Sequence, residues 1–231
     1  MTETILITGA NRGIGLELTR IFAGNNWRVL ACCRHPENAE QLQKIVAGHI
    51  QVQVFALDVT DSGAIARLAS GLSSETIDIL FNNAGIFGPR EQGFGHTDPV
   101  AWLQVLRTNV IAPLQMAEAL VEQVARSRRK VIASVGSMLG SLAENTSGGY
   151  YVYRTSKAAV HMVMKSLSID LKEKGIVSVA FHPGWVRTDM GGPQAPTAPE
   201  ESAAGLFRVL TGLGEKDNGR FLTFEGKELP W

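Results

Sequence analysis

Short apolar runs alternate with helix-length amphipathic segments along this chain, and that rhythm restricts the fold more than any single motif. Thr4–Thr8, Trp27–Cys33, Ile50–Leu57, Ile77–Asn82, Lys130–Val135 and Val177–His182 read as strands. Between them, Gly15–Asn25, Pro36–Ala47, Ser62–Ser70, Val100–Arg126 and Val152–Lys174 carry helical patterns, with Leu16, Leu18, Ile21 and Phe22 as inward residues of the first. Pro113 is expected to kink the fourth helix or mark its inner boundary, since proline cannot donate a helical hydrogen bond. Strands this uniformly apolar must be covered on both faces, and helix-length crossovers join parallel neighbours. The expectation is an α/β protein: one doubly wound parallel sheet with helices on both faces. No linker divides residues 1–231, so a single domain is expected. The Pro/Gly-rich "MGGPQAPTAPE" reads as a surface loop or lid, giving a short substrate cover over 190–201. The tail "GRFLTFEGKELPW" offers a strand at Arg220–Phe224 and an apolar Trp231 for the sheet edge or a subunit contact.

Composition excludes several function classes. Acidic and basic residues balance at 22 each, which argues against a nucleic-acid or membrane partner held by long-range charge. At 45% hydrophobic residues, the chain can bury a sizeable core. No apolar run approaches the roughly 20 residues that span a bilayer. The only cysteines, Cys32 and Cys33, are strand neighbours pointing to opposite faces, a geometry for neither a disulfide nor a zinc site. With no signal sequence visible, the expected location is the cytoplasm. No metal site is expected.

The stretch "ILITGANRGIG" sets a strand, a turn with Gly9, Gly13 and Gly15, and a helix start in succession. Glycines let the backbone turn tightly beneath a bulky anion, and a helix N-terminus presents free N–H groups to phosphate. Here the spacing is Gly-x3-Gly-x-Gly, distinct from the commonest dinucleotide fingerprint. At the end of the second strand, Cys33 stands where an NAD site has an acid for the ribose 2′-hydroxyl, and Arg34 follows. Arg34, with Arg12 from the glycine turn, suits a 2′-phosphate because the guanidinium fork matches its oxygens. The indicated cofactor is NADP(H); the competing reading is two solvated surface arginines.

All three tyrosines, Tyr150, Tyr151 and Tyr153, fall in "GGYYVYRTSK". Tyr153 lies four positions before Lys157, one helical turn away on the same face. A phenol normally titrates near 10, and an adjacent ammonium favours phenolate, bringing the pKa toward the working range. Only Tyr153 has that spacing. The bland alternative is a packing tyrosine and a solvated lysine, and the pair alone does not decide between them.

Together with "TGANRGIG", "LDV" (Leu57–Val59), "NNAG" (Asn82–Gly85), "NV" with a following proline (Asn109–Pro113), "SMLG" (Ser137–Gly140) and "HPGWVRTDM" (His182–Met190), the "YRTSK" stretch resembles the short-chain dehydrogenase/reductase family. These motifs follow the family's order and spacing over residues 4 to 190. The detail "GSL…GGYYVYRTSKAA" looks like its branch of C-factor-like and Sniffer-like carbonyl reductases. The resemblance implies a Rossmann fold and a division of roles. Tyr153 would exchange the proton, and Lys157 would lower its pKa and hold the nicotinamide ribose. Ser137 would polarise the substrate carbonyl, and Asn109 would anchor a water leading from Lys157 to solvent. Gly9, Asn11, Arg12, Gly13, Ile14 and Gly15 would hold the dinucleotide at the glycine turn. Asp58 and Val59 would meet the adenine, with Asn82, Ala84 and Gly85 along the adjoining ribose. Pro183, Gly184, Val186 and Thr188 would position the nicotinamide. The family's frequent second serine is Gly136 here. His182 reads as a strand-end residue, and His161 and His96 are unassigned.

Phe87, Met138, Leu139, Tyr150, Trp185 and Met190 are the candidate substrate contacts, an apolar and aromatic set suited to a small hydrophobic carbonyl compound. The same residues could be core. The leading function is NADPH-dependent reduction of an aldehyde or ketone. The alternatives are a non-catalytic NADP sensor on the same fold and an NAD-dependent alcohol dehydrogenase. Family members often form homodimers or homotetramers, through helices such as Val100–Arg126 and Val152–Lys174.

Overall fold

The computed structural model describes residues 2–231. In chain order it runs β1 (Thr4–Thr8), α1 (Gly13–Gly24), β2 (Arg28–Cys33), α2 (Glu40–Gly48), β3 (Val52–Ala56), α3 (Ser62–Gly71), β4 (Ile79–Asn82) and α4 (Pro99–Leu106). There follow α5 (Ala112–Ala125), β5 (Val131–Val135), α6 (Tyr151–Asp170), β6 (Val177–His182), α7 (Pro199–Gly212) and β7 (Phe221–Thr223). The seven strands form one parallel sheet in the order β3-β2-β1-β4-β5-β6-β7. The chain works outward from β1 to β3, then returns to place β4 on the other side of β1. Beyond the carboxyl ends of β1 and β4, the connecting loops must therefore part, leaving a crevice.

Side-chain alternation along the strands divides the core in two. Ile5, Ile7, Val29, Phe81 and Phe181 pack beneath α1, α2 and α7, where Phe22, Leu42 and Leu206 meet them. Leu6, Leu30, Leu80, Ile132 and Ala180 face α3, α5 and α6, with Ile65, Met116 and Val160. Cys33 belongs to the first layer and Cys32 to the second, so the two thiols lie on opposite faces as neighbours in a strand must. Trp231 stacks on Phe221 of the edge strand β7, with ring centroids 5.5 Å apart.

Two features differ from the sequence reading. The long helix expected over Val100–Arg126 is interrupted at Arg107–Ile111 by a widened π turn, and Pro113 falls inside the first turn of α5. Pro113 has no N–H to close an α-helical bond onto the carbonyl of Asn109, so the turn expands ahead of it. The helix α7 was not foreseen. Its signals are Pro199 at the first position and Glu200 and Glu201 in the first turn, both favourable at a helix N-terminus. It begins inside the expected cover, which leaves 190–198 as the loop. Phe207 of α7 meets Phe22 of α1 edge to face at 4.8 Å. Leu206 is fully buried beside them, and Leu206→Ala is expected to lower the unfolding free energy by about 2–5 kcal/mol in urea titration.

Candidate active site

One cleft of about 1700 Å³ opens across the carboxyl ends of β1, β2, β4, β5 and β6. Typical single-ligand pockets measure roughly 300–1,000 Å³, so this cleft has room for two molecules side by side. Its floor is the glycine turn. Gly9 has φ 67°, and a Cβ there would stand 3.0 Å from the Ala84 backbone. Asn83 fastens the turn: its side-chain amide donates to the carbonyls of Thr8 and Gly9 at 2.9 and 3.1 Å. Thr8 returns the tie through its hydroxyl, which accepts from the N–H groups of Asn83 and Ala84. Asn11, Arg12, Gly13 and Ile14 line the cleft above this floor.

Gly15 and Asn82 do not line it. A Cβ on Gly15 would fall 2.3 Å from the Gly9 carbonyl oxygen, so this glycine lets α1 pack against the turn. Asn82, the last residue of β4, is buried, and its amide reaches toward the Pro113 carbonyl at 3.5 Å. The residue facing the cleft is Asn83, the second asparagine of "NNAG", one pleat further on.

At one end of the cleft, Arg34 lies with Cys33, His35, Asp58 and Val59. The Asp58 carboxyl titrates below its ordinary value, chiefly because it accepts from the Thr60 N–H and also from the Thr60 hydroxyl, with Arg34 and His35 adding attraction. Arg12 does not stand free beside Arg34. It pairs with Asp189 and bridges the glycine turn to the segment after β6. That segment contributes Pro183, Gly184, Val186 and Thr188 to the cleft.

At the other end, Ser137, Tyr153 and Lys157 come together. Of the three tyrosines, Tyr150 and Tyr151 are 46% and 39% exposed, whereas Tyr153 is only 8% exposed. The Ser137 hydroxyl lies near the Tyr153 phenol and accepts from the Leu139 N–H at 3.2 Å. Lys157 donates to the Val135 carbonyl at 2.7 Å, and its Nζ lies 5.6 Å from the Tyr153 ring centre. Burial pulls the Lys157 ammonium down to about 8. The phenol does not follow the sequence expectation. Burial pushes Tyr153 up to about 12, and the nearby Ser137 hydroxyl offsets only part of that rise. The Phe87 ring lies against the phenol, tilted by 36° with centroids 4.7 Å apart.

Asn109 sits behind these groups, on the π turn. Its amide donates to the Ile86 carbonyl and the Ser156 hydroxyl, while Oδ1 accepts from the Ile86 N–H. The side chain thus knots the loop after β4 to α6. Gly85 lies between it and Lys157: a Cβ there would be 3.3 Å from Asn109 Oδ1 and 3.8 Å from Lys157 Nζ. Phe87, Met138, Leu139, Tyr150, Trp185 and Met190 line the cleft around Ser137 and Tyr153. Sequence reasoning passed over Arg154, a buried guanidinium that donates to the carbonyls of Gly148 and Leu139 and to the Ser147 hydroxyl. It holds the loop between Ser137 and Tyr153 closed, and no spacing signal announces it. Among the described residues, no group of three or more His, Cys, Asp or Glu could hold a metal ion. No helix among them is long and apolar enough to cross a membrane.

A parallel sheet with a glycine cradle at its switch point, and a serine, tyrosine and lysine gathered beyond β5, defines a nucleotide-dependent oxidoreductase class. The short chain dehydrogenase family matches residues 3–198, and the chain belongs to that family. It is 40% identical over 163 residues to the C-signal protein of Myxococcus xanthus, covering 71% of this chain and 98% of that one. Over the whole of both chains it superposes on the carbonyl reductase Sniffer of D. melanogaster, with a TM-score of 0.94 and 34% identity. An NADPH-bound carbonyl reductase from chicken fatty liver matches with a TM-score of 0.93 and 34% identity, covering 100% of this chain and 99% of that one.

The raised phenol can be checked directly. Alkaline difference spectra of wild-type protein against Tyr153→Phe should show no extra phenolate up to the ordinary tyrosine pKa of 10, the extra absorbance arriving only toward about 12. One additional phenolate at or below pH 10 would contradict the burial argument.

Proposed function

We propose that this chain is an NADPH-dependent reductase converting an aldehyde or ketone to the alcohol, with Tyr153 as proton donor. The observation that carries the reading is the grouping of Ser137, Tyr153 and Lys157 at one end of a cleft that has Arg34 at the other. The cradle fits a dinucleotide. Gly9, at φ 67°, lets the turn pack onto the Ala84 backbone, and Gly9, Asn11, Arg12, Gly13 and Ile14 would hold the pyrophosphate. Arg34 would take the 2′-phosphate, with Asp58 and Val59 at the adenine and Ala84 and Gly85 along the ribose. Pro183, Gly184, Val186 and Thr188 would face the nicotinamide. Cys33, in the place of an acid, presents no carboxylate to repel a phosphate. The nucleotide bound to the chicken reductase supports this choice.

When bound, NADPH supplies the hydride, and the protein supplies orientation and electrostatics. Ser137 donates a hydrogen bond to the substrate carbonyl oxygen and stabilises the charge that develops on it. Tyr153 then releases its proton to that oxygen. A phenol is already protonated at neutral pH, the form reduction requires, and burial moves Tyr153 further in that direction. Lys157, within reach of the phenol, compensates the phenolate left behind and lowers its cost. Asn109 would anchor the water through which the proton is replaced. Its largely engaged amide supports that role by holding the loop after β4 and α6 at a fixed separation. The apolar and aromatic rim formed by Phe87, Met138, Tyr150, Trp185 and Met190 favours a small hydrophobic substrate. Exposed Met162 and Ile169 on α6 support association of copies through that helix.

Turnover of a panel of aldehydes, ketones and quinones, followed by NADPH consumption, tests the reading. Tyr153→Phe should lower kcat by about 10²–10⁴-fold, the usual contribution of a positioned acid. Retention of wild-type turnover would remove Tyr153 from the reaction. Arg34→Ala should weaken NADPH relative to NADH by about tenfold or more in kcat/KM, from loss of charge-assisted hydrogen bonds. An unchanged ratio would place the 2′-phosphate elsewhere.

A further inference from the structure

Two consecutive backbone N–H groups at the proposed catalytic serine end on histidine rings. The Ser137 N–H donates to Nε2 of His161 at 3.2 Å, and the Met138 N–H donates to Nδ1 of His182 at 3.3 Å. The rings come from different elements, His161 from the middle of α6 and His182 from the end of β6. They hold the segment where β5 ends and the chain turns into the site.

We infer that His161 and His182 are positioning residues, two neutral imidazoles of opposite tautomer that clamp the Ser137–Met138 backbone and so aim the Ser137 hydroxyl. This rests on the reading of Ser137 given above and adds two residues to it. A ring nitrogen can accept an N–H only when it carries no proton, so His161 must hold its proton on Nδ1 and His182 on Nε2. Protonation would turn each acceptor into a donor facing another donor.

Three observations support the clamp. First, the approach of His161 depends on Gly136. A Cβ at that position would sit 2.4 Å from Nε2, so the missing side chain is the space through which the ring reaches Ser137. Second, His161 is wedged between hard surfaces. Its ring lies 4.2 Å from Phe221 and 5.5 Å from Trp231, and Nδ1 is buried without a hydrogen-bond partner. A buried unpartnered donor is costly, so the packing that tolerates it holds the ring in place for the contact Nε2 makes. Third, both rings resist protonation. Burial is the leading cause, taking His161 to about 3 and His182 to about 4; at His161 the Lys157 charge adds repulsion and the nearby Gly140 carbonyl offsets only part of the fall.

The test uses acceptor geometry. His161→Leu should lower kcat by about 10²-fold, the scale expected when a reacting group is misplaced by about an ångström. NADPH affinity, measured by nucleotide fluorescence, should be unchanged in that variant. His161→Gln, whose Oε1 reaches the Nε2 position, should recover most of the loss, and His161→Asn should not. At His182 the order reverses, because Asn Oδ1 overlays Nδ1: His182→Asn recovers turnover and His182→Gln does not. Wild-type kcat in His161→Leu, or equal recovery by Gln and Asn, would overturn the clamp. Nitrogen NMR of the imidazoles in the wild-type protein gives an answer independent of how the variants fold. Nδ1–H in His161 together with Nε2–H in His182 supports the proposal, whereas an imidazolium or the reversed tautomers refutes it. Tyr153→Phe measured alongside keeps the two questions apart, since undiminished turnover there would fault the proton-donor assignment and leave the NMR result standing.

Discussion

The hydrogen bond from Lys157 to the Val135 carbonyl couples α6 to the last residue of β5, and the site is organised around that junction. A sheet strand is rigid and a long helix is rigid, yet neither alone can hold a phenol against a serine. With the ammonium fastened to the strand end, Tyr153, one turn earlier on α6, and Ser137, two residues beyond Val135, have little freedom to separate. Gly140 tightens the same joint: a Cβ there would fall 2.6 Å from the Lys157 backbone, so the loop lies directly on the helix. Asn109 and Arg154 act at the flanks, one tying α6 to the loop after β4 and the other closing the loop between Ser137 and Tyr153.

The energetic cost of this arrangement is burial of polar groups. Lys157, Tyr153, His161 and His182 are all shifted toward their neutral forms, each chiefly by loss of solvent. Such clustering is typical of functional sites, because structural cores avoid desolvated titratable groups. For proton donation the direction matters. In the reaction proposed above, the phenol must keep its proton until the substrate oxygen takes it, and burial acts in that direction.

Much of the fold could be read from local chemistry. The strands from Thr4–Thr8 to Val177–His182, and the helices between them, are set by apolar periodicity within each segment. The grouping of Ser137, Tyr153 and Lys157 was legible because motif spacing and the end of β5 pointed to the same place. Asn82 was misjudged because a one-residue step along a strand exchanges faces, and no spacing argument shows where β4 releases its last side chain. At the π turn Arg107–Ile111 the proline was legible, but not that Asn109 on the turn bonds to residues 23 and 47 positions away. Helix α7 hid behind a proline-rich loop whose composition dominated the reading.

Sequence alone determined the doubly wound sheet, the glycine turn and the helical face that Tyr153 shares with Lys157, because these follow from periods of two and 3.6 residues and from backbone freedom at glycine. Tertiary structure alone decided which way the phenol titrates, which partner Arg12 takes, and that two histidines from α6 and β6 meet consecutive amides at Ser137. Those outcomes depend on burial and on contacts between residues distant in the chain. Solvent exclusion and acceptor geometry are properties of the packed molecule, and no local pattern encodes them.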